Sequence, residues 1–148
     1  MYPGTHVSAR ANQAAFIMAS TGETVSYAEL EARTNRLAHF LRSRGLNRLD
    51  HYSIFMENNS RYLESCGAGE RAGLYFTCIN SFLKADELAY IVNNSESRVL
   101  IFSEEKRAIA EEALRQCPNV EVSLVVDGPG NGGNILNLDE ATASFPST

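Results

Sequence analysis

Residues 74–126 read LYFTCINSFLKADELAYIVNNSESRVLIFSEEKRAIAEEALRQCPNVEVSLVV. Short runs of branched and aromatic residues alternate here with longer runs whose apolar residues return every three or four positions. The period predicts strands over Leu74 to Ile79, Val99 to Phe102 and Val120 to Val126. It predicts helices over Ala85 to Asn94 and Glu104 to Gln116, the second stopped by Pro118. Leu88, Ile91 and Val92 fall on the inward face of the first of these helices. In the last strand Val120, Val122, Leu124 and Val126 alternate against Glu121, Ser123 and Val125. A helix between each pair of strands implies a parallel sheet with right-handed crossovers.

Working outward towards the amino end, the alternation continues. His51 to Met56 reads as a strand. Asn58-Asn59-Ser60 is expected to cap a helix that ends at Gly73. Gly67 and Gly69 inside it each cost about 1 kcal/mol relative to alanine, so close approach to the sheet must justify them. Before that, Ser26-Tyr27-Ala28-Glu29 has the spacing of a capping box. The helix it opens carries Leu30, Leu37, Ala38 and Leu41 on one face and an expected Glu29–Arg33 pair on the other. Arg42 and Arg44 suit its negative end, and Gly45 supplies the left-handed stop. Ala15 to Met18 and Thr24-Val25 form a short hairpin around Ser20-Thr21-Gly22-Glu23. The fold class is therefore α/β: a mainly parallel sheet with helices on both faces, preceded by a short β-hairpin. Towards the carboxyl end, residues 127–134 read as a Gly-rich loop. Leu138 to Thr148 is weakly patterned, and Phe145-Pro146-Ser147-Thr148 reads as a linker.

The bulk properties suit one soluble unit: 148 residues, 44% apolar and 21% charged. A net charge of -5 without a basic cluster excludes nucleic acid as a partner, because binding phosphates takes clustered Lys and Arg. Cys66, Cys78 and Cys117 are odd in number and contain no C-x-x-C. This argues against a disulfide framework or zinc site and for a cytoplasmic, reducing location. Ala14 to Ala19 is too short for a signal-peptide core, and no stretch is long enough for a transmembrane span. The glycosylation-like triplets at Asn58-Asn59-Ser60 and Asn93-Asn94-Ser95 carry no meaning without secretion.

Gly128-Pro129-Gly130-Asn131-Gly132-Gly133 satisfies G-x-G-x-x-G after a strand. A dinucleotide site also needs a helix opening there, and Asn134 to Asn137 does not open one, so a surface loop is expected. Ser20 to Thr24 resembles a phosphate-gripping loop but lacks a second glycine and a lysine. His6, His39 and His51 have no metal-ligand spacing, and there is no G-x-S-x-G serine elbow. No catalytic set is visible.

Three segments together resemble the adenylate-forming superfamily, and within it the fatty acyl-CoA ligases. They are Val25-Ser26-Tyr27-Ala28-Glu29-Leu30 continuing to Thr34-Asn35-Arg36-Leu37-Ala38; Ile54-Phe55-Met56-Glu57-Asn58 with Tyr62-Leu63-Glu64; and Arg71-Ala72-Gly73-Leu74-Tyr75, Ile79-Asn80, Asp86-Glu87-Leu88-Ala89-Tyr90-Ile91 and Arg98-Val99-Leu100-Ile101. The resemblance covers most of residues 15–103. It implies part of the large N-terminal domain of an acyl-CoA synthetase. Such an enzyme joins a fatty acid or other carboxylic acid to ATP with Mg2+, releases pyrophosphate, and transfers the acyl group to coenzyme A.

The resemblance also implies what this chain does not carry. The family's Ser/Thr/Gly-rich phosphate loop with its lysine, its aromatic adenine motif, the ribose-binding aspartate and the lysine of the mobile C-terminal domain have no matching positions. No catalytic, cofactor-binding or metal residue is therefore assigned, and the chain alone is expected to be inactive and to bind ATP weakly. Met1 reads as a natural start, which places the missing part on the carboxyl side. The family's proline-glycine before Asp50 is Arg48-Leu49 here, its proline before Ile79 is Cys78, and its Ser or Thr cap of the third helix is Lys84. Asn80, Ser81 and Phe82, after a strand end, are the candidates for lining the acyl or coenzyme A path. The alternatives are an adenylation domain feeding a carrier protein, and a free-standing α/β binding module. Apolar surface left by a cut sheet predicts self-association. Peripheral membrane contact by the whole protein fits the resemblance, although no basic amphipathic helix is present.

Overall fold

The structure, a computed structural model, describes residues 3–148. A 3-10 turn at Pro3–His6 leads into a short helix α1 (Val7–Arg10), then β1 (Ala14–Ile17) and β2 (Thr24–Ser26) form the antiparallel hairpin. Gly22 turns it at φ 74°. The remaining order is α2 (Tyr27–Ser43), β3 (His51–Phe55), α3 (Tyr62–Ala72), β4 (Tyr75–Cys78), α4 (Ala85–Asn94), β5 (Val99–Ser103), a 3-10 turn at Glu104–Lys106, α5 (Arg107–Leu114), β6 (Val122–Val126), β7 (Ile135–Asn137) and α6 (Leu138–Thr142). Strands β3 to β7 form one sheet in the order β4-β3-β5-β6-β7, every pairing parallel.

Two cores follow from the alternation of side chains along the strands. Ile54, Val99, Ile101, Val122 and Leu124 meet Leu37, Leu41 and Ala68 from α2 and α3 on one face. Phe55, Leu100, Phe102 and Val125 meet Leu88, Val92, Ala110 and Ala113 from α4 and α5 on the other. Both faces of β5 and β6 are thus buried, as a covered parallel sheet requires. Each fully buried leucine contributes about 1.5–3 kcal/mol.

The capping box forms. The Ser26 hydroxyl accepts from the Glu29 N–H at 3.2 Å and the Glu29 carboxylate accepts from the Ser26 N–H at 2.9 Å. Glu29 is thereby committed to the cap and does not form the expected ion pair with Arg33, which instead lies 4.0 Å from Glu64. Gly45 closes α2 at φ 81°. The expectation for Gly69 holds: a Cβ there would lie 2.6 Å from the Tyr52 hydroxyl and 2.7 Å from Phe76. That hydroxyl is buried and donates to the Ser65 carbonyl, one turn earlier in α3.

Four expectations need correction. Asn58 to Ser60 do not cap α3, which starts at Tyr62; the Asn59 side chain accepts from the Arg61 N–H at 2.9 Å, in the turn before the helix. The helix expected from Glu104 opens as a 3-10 turn and is α-helical only over Arg107–Leu114. The weakly patterned tail from Leu138 opens with α6, and the unassigned Ile135–Asn137 just before it forms β7. The linker at 145–148 is docked on α2. Phe145 meets Phe40 edge to face at 6.0 Å, and Asn35 donates to the Ser147 carbonyl at 2.8 Å.

Candidate functional site

Because every strand of the large sheet runs the same way, their carboxyl ends gather on one side. The strand order reverses at β3: its connection through α3 leads to β4 on one flank, while β5 lies on the other. Helices α3 and α5 then leave on opposite faces. Such a divergence opens a crevice beyond the carboxyl ends of the two strands, here β3 and β5.

Glu57 follows β3 and Ser103 ends β5 at this crevice. The buried Ser103 hydroxyl donates to Glu57 at 2.5 Å, and the Asn59 amide donates to the same carboxylate at 3.2 Å and to Asp127 at 3.0 Å. Burial pushes the Glu57 carboxyl up. The bonds from Ser103, its own backbone N–H and Asn59, with Lys106 nearby, outweigh that and hold it below its ordinary range. The crevice is therefore lined by anions and closed by its own hydrogen bonds.

An apolar groove of about 480 Å³ runs from this end between the hairpin and the start of α3. Phe16, Ile17, Met18, Tyr62 and Leu63 form its walls, and Asn59 is shared with the crevice. Behind it, Cys66 of α3 and Cys78 at the end of β4 bring their sulfurs to 3.8 Å. Twelve residues apart in sequence, they have no C-x-x-C spacing to mark them as a pair. On the α2 side a cavity of about 380 Å³ is lined by Arg33, Arg36, Arg61, Glu64 and Asp139. Arg61 is largely spent there, donating to Glu64 at 2.8 Å and also to Asp139.

Asn80, Ser81 and Phe82 do follow a strand end, but that of the edge strand β4, one strand away from the crevice. The Asn80 side chain accepts from the Phe82 N–H at 3.0 Å and shapes the turn. The Phe82 ring is 90% exposed, with the Lys106 ammonium 5.7 Å from its centre. Lys106 is ion-paired with Glu105 at 2.9 Å, and its charge also favours the ionised Glu57. Glu57, Asn59 and Ser103 were missed as site candidates. Finding them requires the strand order, which a single sequence does not display.

The Gly-rich loop is a surface loop. Asn131 accepts from the Gly133 and Ile135 N–H groups at 2.9 and 3.0 Å, and Asn137 donates to the Gly128 carbonyl at 2.8 Å. The chain runs from it into β7, and α6 opens only after that. Glu104 lies against Gly128, where any Cβ would overlap its carboxylate. Glu104 is paired with Arg107 at 2.7 Å, and Asn59 ties Asp127 to Glu57. Among the described residues no group of three or more His, Cys, Asp or Glu could hold a metal, and no helix is long and apolar enough to cross a membrane. His6 meets Tyr27 and His51 meets Tyr75 as tilted ring pairs, while His39 lies 3.0 Å from the Thr148 carbonyl.

Known proteins share this fold. Residues 5–145 match the family model described as AMP-binding enzyme. A 3-oxocholest-4-en-26-oate–CoA ligase of Rhodococcus rhodochrous is 33% identical over 110 residues, 74% of this chain and 20% of that protein. A fatty acid–[acyl-carrier-protein] ligase of Streptomyces coeruleorubidus is 27% identical over 103 residues, 70% of this chain and 20% of that protein. The crystal structure of an anthranilate CoA ligase in complex with anthranoyl-AMP superposes with a TM-score of 0.90, covering 99% of this chain and 28% of that one at 21% identity. The chain spans about a fifth of the length of these curated relatives.

Proposed function

Since the chain belongs to the AMP-binding enzyme family, we propose that it is the N-terminal α/β part of an acid–thiol ligase. The whole enzyme joins a carboxylic acid to ATP as an acyl-adenylate and passes the acyl group to coenzyme A. The observation that carries this reading is the family match over residues 5–145. The ligases among its relatives agree with it. ATP, Mg2+ and coenzyme A are needed by the whole enzyme. The anionic crevice supports the view that these 148 residues hold none of them well.

In this reading the chain is scaffold. It supplies the apolar groove and the loop Asn80, Ser81 and Phe82, which borders the acyl or coenzyme A path. The exposed Phe82 and its neighbour Lys106 favour that placement. The exposed apolar residues Ile17, Leu63 and Tyr75, with the open edge of β4, favour self-association of the isolated chain. The whole enzyme works in the cytoplasm, with any membrane contact peripheral.

ATP–pyrophosphate exchange tests this. The 148-residue chain should give no exchange with a panel of carboxylic acids, and the same chain extended along its native reading frame should give exchange. Exchange by the short chain defeats the scaffold role. A reading frame that stops after Thr148 defeats the ligase reading and leaves a free-standing binding module. The carrier-protein ligase among the relatives favours a second acceptor. Offering the extended enzyme coenzyme A and a phosphopantetheinylated carrier protein side by side decides between them.

A further inference from the structure

Cys66 sits in the middle of α3 and Cys78 is the last residue of β4, and their sulfurs lie 3.8 Å apart. We propose that this pair is a redox-active dithiol that closes to an intramolecular disulfide, pinning α3 to the carboxyl end of β4. A disulfide needs its sulfurs at about 2.05 Å. Each sulfur swings on its own Cα–Cβ bond, and the two side chains already face one another.

The surroundings divide the work. Cys78 is exposed, on an edge strand that no further strand covers among the described residues. It meets oxidant first. Cys66 is half-buried under the groove wall, where burial, reinforced by the neighbouring Cys78 thiol, pushes its own thiol up to about 12. It is the resolving thiol. Tyr62, one turn earlier in α3, packs with Cys66 against the same core. Cys117 stands apart, buried in the other core with its thiol directed at the Ala89 carbonyl.

With hydrogen peroxide as oxidant the step balances. The Cys78 thiolate attacks a peroxide oxygen, the O–O bond breaks, and hydroxide leaves behind a sulfenic acid. The Cys66 thiolate then attacks that sulfur, the S–S bond forms, the S–O bond breaks and a second hydroxide leaves. The two thiol protons convert both hydroxides to water, and two electrons pass from the dithiol to the peroxide. Because Cys66 holds its proton tightly, the second step quickens as pH rises. The cross-link joins a wall of the apolar groove, through Tyr62, to the segment two residues before Asn80. Oxidation therefore stiffens that side of the candidate site whatever the acyl acceptor.

The test treats the 148-residue chain with dilute hydrogen peroxide, blocks free thiols with a maleimide in denaturant, and maps the peptides. The expected product has lost two hydrogens, carries label on Cys117 alone and yields a linked 66–78 peptide. Its thermal midpoint rises by about 5 °C and returns on reduction. Cys117→Ser should behave identically. Cys66→Ser should stop at a Cys78 sulfenic acid that dimedone traps. Wild-type chain that retains an alkylatable Cys66 while Cys78 over-oxidises or links two chains overturns the proposal, without reference to any variant.

Discussion

The Ser103 hydroxyl donates to the Glu57 carboxylate at 2.5 Å, fastening the end of β5 to the end of β3. This bond, with those from Asn59 and the Glu57 backbone, keeps the carboxyl below its ordinary value of 4.5 despite partial burial. A carboxylate depressed on folding adds stability that is complete above its unfolded pKa and is lost as pH falls through the folded one. Ser103→Ala should therefore cost about 1 kcal/mol at neutral pH, solvent screening having reduced a charged hydrogen bond to that size. The cost should shrink below 4.5. Urea midpoints at neutral and acid pH check this. An equal loss at both would mean that the ionised carboxylate is not what Ser103 serves.

Gly69 is fixed by the sheet beneath it. Alanine there gains about 1 kcal/mol of helix propensity, but its Cβ would lie 2.6 Å from the Tyr52 hydroxyl. That hydroxyl is fully buried and bonded, so it has nowhere to move. Overpacking should win, with a net loss of about 2 kcal/mol in denaturant unfolding. At Gly67 the nearest atoms are 3.1 Å away, on the Thr34 side chain, which can give slightly. Gly67→Ala should change stability by less than about 1 kcal/mol. Similar losses at the two sites would remove the sheet contact as the cause.

Most elements were legible because their periods differ. Val122, Leu124 and Val126 repeat every second residue, whereas Leu30, Leu37 and Leu41 return on a helical face. Strand β7 has too few residues to show a period. Helix α6 did leave a signal: Asn137 stands three residues before Glu140, and its side chain accepts from the Glu140 N–H at 2.8 Å. The crevice was not legible, since Glu57 and Ser103 are 46 residues apart and meet only through the strand order. The same limit hid the dithiol, because α3 must fold back over β4 before Cys66 can meet Cys78.

Lys84 occupies the cap of α4 with an ammonium that cannot accept a hydrogen bond. Only half of a capping box is present, the Glu87 carboxylate accepting from the Lys84 N–H at 2.9 Å. The backbone is already extended, with φ -84° and ψ 169°, as a cap requires. Lys84→Ser should supply the missing acceptor and raise stability by about 1 kcal/mol, or about 3 °C in thermal midpoint. Lys84→Ala, which shortens the side chain without adding an acceptor, should not. A gain in both would trace the effect to charge rather than to the cap.

Arg61 joins α3 to α6. It is 9% exposed, donates to Glu64 at 2.8 Å and also binds Asp139. Burial pushes the Glu64 carboxyl up, while Arg61 and Arg33 oppose that by favouring its charge. Arg61→Ala leaves Glu64 buried with only Arg33 at 4.0 Å, and should cost about 3 kcal/mol at neutral pH. A carboxyl raised on folding weakens the fold as pH climbs through its folded pKa, so the variant should recover part of its loss towards pH 4.5. Asp139 is exposed, so Asp139→Ala should cost about 1 kcal/mol or less in global unfolding. It should nevertheless speed amide hydrogen exchange in α6, because it removes one of the ties that dock this short helix. If α6 stayed as protected in Asp139→Ala as in the wild type, Arg61 would be serving Glu64 alone.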